Sequence, residues 1–141
     1  MGPNHKGHGG QPLADSLEGY TFAALAQAHA AYLKVSYDIV VGHSLGCLVA
    51  VKMLQSDAVK PQRVVLIDPP FNLSPQDKEG VRKGCKNEIE HPMSWQEYQQ
   101  HHSKYGRVDC IAEAYKASMG NTEAIDGIID VRMNELMFIN I

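Results

Sequence analysis

The 141-residue chain is expected to be an α/β protein, with a small parallel βαβ core followed by a helical C-terminal half. Two short β-branched runs, Tyr37–Val41 and Arg63–Ile67, predict strands that are apolar on both faces and therefore buried. Between them Leu45–Gln55 has helical periodicity, and strand, helix, strand with apolar strands implies parallel pairing through a crossover helix. After Pro70 the signals are helical.

Residues 1–20 carry Gly2, Pro3, Gly7, Gly9, Gly10, Pro12 and Gly19, a density of chain breakers that predicts a loop. From Thr21 to Leu33 the apolar residues Phe22, Leu25, Ala26, Tyr32 and Leu33 share one helical face, with Thr21 as N-cap. Gly42 stops the first strand. In the following helix Leu45, Leu48, Val49, Met53 and Leu54 fall on adjacent faces. Pro61 predicts the next turn, and Asp68-Pro69-Pro70 ends the second strand. Ser74, Pro75 and Asp77 supply an N-cap, a proline at the first helical position and an acid in the first turn. Ser94-Trp95-Gln96-Glu97 is a capping box, in which hydroxyl and carboxylate each accept a backbone N–H. Gly106 is expected to stop that helix. Asp109 is expected to cap a third helix ending at Gly120. From Thr122 the residues Ile125, Ile128, Ile129, Met133, Leu136 and Met137 form a fourth helical stripe. The spacing leaves both helix and strand open for residues 136–141.

Apolar residues make up 44% and charged residues 21%, with a formal net charge of −3. That composition belongs to folded chains rather than disordered ones. The charge supplies no basic patch for nucleic acid or an anionic membrane. No apolar run approaches the roughly 18 residues of a membrane span, and the first ten residues have no apolar core of a signal peptide. Cys47, Cys85 and Cys110 are odd in number and far apart, which signals neither a disulfide framework nor a zinc site. The expected setting is the cytoplasm, with no cofactor, no metal, no nucleic acid and no membrane partner.

The segment that carries chemistry is Gly42-His43-Ser44-Leu45-Gly46. This is G-x-S-x-G, placed directly after an apolar strand and directly before an amphipathic helix. A serine at so sharp a turn projects its hydroxyl from a strained backbone. The two glycines are expected to give room for the turn and for close strand–helix packing. The helix N-terminus favours developing negative charge, and the Leu45 N–H is placed to be an oxyanion donor.

In this context Tyr37–Ala50 resembles the nucleophile elbow of the α/β-hydrolase superfamily. Asn4-His5-Lys6-Gly7-His8-Gly9 is similar to that family's D-x-R-G-x-G loop, with Asn4 and Lys6 in place of Asp and Arg. Val64–Pro69 resembles the strand after the elbow helix. The resemblance covers roughly residues 4–70. It implies a partial α/β-hydrolase fold, with residues 1–70 as core and residues 71–141 as a helical cap or lid. It also implies an acid and then a histidine after later strands, and a second oxyanion N–H from a loop before Met1. On that reading the chain begins inside the family's fold and stops inside its cap.

A neutral serine needs a base to take its proton and an acid to orient that base. Asp68 follows the second strand and is the candidate acid, against a role as opener of the Asp-Pro-Pro turn. His101 is the candidate base, with His91 and His102 as equal alternatives, against exposed polar positions on helices and turns. His43 adjoins the serine and is expected to pack beside the site, and His5 and His8 are expected to be solvated loop residues. Cys47 is expected to be a small buried residue. Trp95, Tyr98 and Tyr105 form an aromatic face, expected to pack helices rather than to line an acyl pocket.

The leading expectation is a serine hydrolase acting on a small-molecule ester, thioester or amide through an acyl-enzyme on Ser44. The alternative is a truncated, catalytically incomplete relative with no turnover of its own. An acyltransferase ranks lower, because transacylases that share Gly-His-Ser-Leu-Gly usually continue with Glu where this chain has Cys47. Unpaired strand edges make self-association through the sheet a further expectation.

Overall fold

The computed structural model describes residues 2, 4–71 and 73–132. Their order is a 3-10 turn (Leu17–Tyr20), α1 (Phe22–Ala30), β1 (Ser36–His43), α2 (Leu45–Gln55), β2 (Lys60–Ile67), α3 (Pro75–Glu90), α4 (Trp95–His101), α5 (Arg107–Ser118) and α6 (Thr122–Arg132). The expected mixed α/β class is observed. Met133 and the residues beyond it, including the undecided stretch 136–141, lie outside the described residues.

β1 and β2 pair in parallel, in register from Ser36 opposite Lys60 to His43 opposite Ile67. Both strands are longer than their β-branched cores. Pro61 lies inside β2 opposite Tyr37, not in a turn. A proline cannot donate to a ladder, so its place fits a strand with one unpaired edge. α2 packs against β1 and α1 packs against α2. Phe22, Leu25 and Ala26 of α1 meet Leu48, Val49 and Met53 of α2, and Val59 closes this cluster.

The strands are not buried as their sequence predicts. Val41 is 60% exposed and Ile67 48% exposed, and Ile39, Val64 and Val65 are also exposed. The described residues provide a two-stranded sheet, so both strands are edges, and the helices are too few to cover both faces.

The helical half obeys its capping signals. Ser74 accepts from the Asp77 N–H while the Asp77 carboxylate accepts from the Ser74 N–H. Ser94 and Glu97 do the same at α4. Gly106 is not the stop of α4, which ends at His101; it stands at the N-cap of α5. Asp109 does not occupy the cap position. It is the third residue of α5, and its carboxylate accepts from the Gly106 N–H at 2.9 Å. α5 ends at Ser118, just short of Gly120. Asn121 accepts from the N–H groups of Glu123 and Ala124 at the start of α6.

α3 buries no residue. It is tied to α6 by charge instead: Arg82 donates to Asp126 at 2.8 Å and also reaches Asp130, and Lys86 donates to Asp126 at 2.7 Å. Bonds from Lys86 and Arg82 hold Asp126 below the usual carboxylate range. α6 in turn lies on the 3-10 turn, which interrupts the loop expected over residues 1–20. There Tyr20 packs with Ala124 and Ile128. A Cβ added at Gly127 would come within 2.3 Å of the Tyr20 ring, so the approach of α6 needs glycine at that position. This contact fastens α6 to the segment that precedes α1.

Candidate active site at the carboxyl ends of the strands

Ser44 links β1 directly to α2. Its backbone lies at φ 47°, ψ −120°, a left-handed φ that a residue with a Cβ holds only under strain. What over-determines it is visible. The Ser44 N–H donates to the Ile67 carbonyl at 3.0 Å, and the Cys47 N–H donates to the Ser44 carbonyl at 2.9 Å. The Cys47 thiol donates to the same Ile67 carbonyl at 3.3 Å. Cys47 is fully buried, as its sequence position predicts. Two donors on one carbonyl fasten the turn to the end of β2.

Gly42 is the glycine that this turn requires. A Cβ there would lie 2.8 Å from the Cys47 Cα and from the Gly46 carbonyl oxygen. Gly46 differs from expectation, because a Cβ there would meet nothing within 4 Å. The side of α2 that carries Gly46 faces an open slot beside β1 rather than another strand.

The Ser44 side chain is exposed and makes no capping bond to α2, so its hydroxyl is not spent on the helix. Leu45 is the first residue of α2. N–H groups of a first helical turn have no acceptor within the helix, and they carry the positive end of its dipole. Developing negative charge on an atom bonded to the Ser44 oxygen would sit beside them.

Asp68 occupies the equivalent place on the neighbouring strand. His43 pairs with Ile67, so Ser44 and Asp68 each stand one residue past the last pair of the sheet. Asp68 too has a left-handed backbone, with φ 49°. Strands pair about 4.8 Å apart, which sets the two residues side by side beyond the carboxyl ends, where open α/β sheets bind their ligands. Both line one groove of about 540 Å³. Phe22, Leu48, Phe71, Val81, Ile128 and Ile129 form much of its walls.

The histidines do not gather at this groove. His43 is exposed next to Ser44, and His91 and His101 are exposed at the ends of α3 and α4. None of them lines the groove among the described residues. His102 stacks between Tyr98 and Tyr105, with ring centroids at 6.0 and 5.0 Å. Trp95 lies under the Arg107 guanidinium at 4.7 Å. The aromatic face therefore joins α4 to α5.

His5 is not a solvated loop residue. Its Nδ1 lies 2.8 Å from Nε2 of His29. His29 is buried, and burial pushes its imidazole below the ordinary range. That bond ties the N-terminal loop to α1. The loop is further closed by Asn4, which donates to the Gly9 carbonyl at 3.2 Å. Among the described residues no three His, Cys, Asp or Glu side chains converge as a metal site, and no helix is long and apolar enough to cross a membrane.

The groove walls from Phe71, Val81, Ile128 and Ile129 escape sequence reading. The only signal for the last two is their place on the apolar stripe of α6.

Compared with known proteins, the chain matches no family model, no curated protein and no solved structure.

Proposed function

We propose that the chain belongs to the α/β-hydrolase type and that Ser44 is a nucleophile toward a small-molecule ester, thioester or amide. The observation that carries this reading is the Ser44 backbone, held at φ 47° between a strand and a helix N-terminus with its hydroxyl uncommitted. Strain at a single exposed serine, fixed by two donors on the Ile67 carbonyl, is the sort of arrangement that clusters at functional sites. In the proposed reaction the Ser44 oxygen attacks the substrate carbonyl, and the Leu45 N–H stabilises the tetrahedral oxyanion. The leaving group departs with the serine proton, delivered through a base. Water then attacks the acyl-enzyme and releases the acid. Asp68, in the same groove, is the acid of this scheme. His101, the base that the sequence suggests, does not line this groove among the described residues, and His101→Ala tests whether it takes the proton.

Turnover of p-nitrophenyl butyrate by the purified chain tests the reading. Ser44→Ala is expected to remove about a thousandfold or more of any enzymatic rate. Equal rates for the two proteins would refute it.

A second reading is favoured by one observation: no histidine lines the groove among the described residues. On that reading the elbow geometry is retained without a base to activate Ser44, and the chain has no turnover of its own. Equal rates for the wild type and Ser44→Ala would select it.

A further inference from the structure

We infer that the groove beside Ser44 takes an uncharged, apolar acyl group of medium length. This rests on Ser44 being the nucleophile. Of the described side chains that line the groove, Ser44 and Asp68 alone carry polar atoms. The rest are aliphatic, aromatic or proline, drawn from α1, α2, α3, α6 and the segment after β2. No Lys or Arg stands among them, so a carboxylate or phosphate on the acyl part would lose its water without gaining a counter-ion. Asp68 adds repulsion to that loss. An apolar chain gains instead, because it covers wall area that water now wets. At about 540 Å³ the groove lies within the roughly 300–1,000 Å³ of small-molecule sites. Ser44 lines it together with residues of α3 and α6, and the acyl part is the portion of the substrate that becomes bonded to Ser44.

Alkylboronic acids test this without requiring turnover, since they form a tetrahedral adduct on a nucleophilic serine. Butylboronic acid, octylboronic acid and a carboxyl-terminated alkylboronic acid would be titrated into the full chain. The adduct would be followed by boron NMR, with Ser44→Ala as control. Full burial of one methylene is worth about fourfold in affinity. An open groove that covers part of each methylene should still give at least about tenfold from butyl to octyl, with the carboxyl-terminated compound weakest. Val81 lines the groove but is 44% exposed on α3, so Val81→Lys should fold normally and favour the carboxyl-terminated compound. A Ser44-dependent adduct with equal affinity for all three compounds would overturn the apolar acyl site and leave the nucleophile standing. No tetrahedral adduct with any of them would overturn the nucleophile and this inference with it.

Discussion

The segment that carries Ser44 and helix α3 are held in place by different forces. In residues 21–67, α1 and α2 interlock through Phe22, Leu25, Leu48, Val49 and Met53, all nearly inaccessible. In residues 74–132, α3 buries nothing. It is held by the ion pairs of Arg82 and Lys86 with Asp126 and Asp130 and by its own reciprocal cap at Ser74. Apolar packing is dense and intolerant of small displacements. Exposed ion pairs and caps are worth roughly 1 kcal/mol or less each and depend on salt. The difference teaches how the candidate site is built. Its reactive side rests on the packed region, and one wall, from α3, rests on polar ties.

The largest test of this contrast is truncation in the packed region. Leu25→Ala should cost about 2–5 kcal/mol of stability, read as a shift in the urea midpoint. Val81→Ala, on the exposed side of α3, should stay within about 0.5 kcal/mol. Equal costs would erase the contrast. Next comes Gly42→Ala, whose methyl group would press on the backbone of Cys47 and Gly46. It should cost about 1–3 kcal/mol and also disturb Ser44, so its loss of acylation should exceed that of a variant of equal stability elsewhere.

A smaller effect is expected at the cap of α4. Ser94→Ala removes the acceptor for the Glu97 N–H and should cost about 1 kcal/mol, with no change in Ser44 acylation. The smallest effect is a pH dependence at His29. Its folded-state value lies below the ordinary one, so the unfolded chain binds the proton more readily. The associated stability is fully present above about pH 6.5 and falls as the pH drops toward the folded-state value. Thermal midpoints from pH 7.5 to 5 should therefore fall more steeply for the wild type than for His29→Gln. Parallel curves would remove the buried, neutral His29 from the account.

Much of this was legible in residues that act locally. Thr21, Ser74 and Ser94 announce their helices because a cap involves partners three residues away. The turn at Ser44 is legible for the same reason, since strand, glycine, serine and helix are contiguous. The exposure of Ile39, Val41 and Val65 was not legible. A β-branched run states that a strand suits cover on both faces, but says nothing of whether other elements supply it. The His5–His29 bond, 24 residues apart in sequence, and the groove walls from α6 arise only when distant segments meet. Asp68 falls between these cases. Its place at the end of a strand is local, while its neighbourhood to Ser44 depends on the parallel register.

The most direct test of the central claim is to mix the full chain with p-nitrophenyl butyrate, quench in acid and locate the butyryl group by peptide mass spectrometry. The account predicts a butyryl-Ser44 peptide, trapped by the quench during turnover and absent in Ser44→Ala. An unmodified Ser44, with butyryl groups only on scattered lysines or histidines, would contradict it.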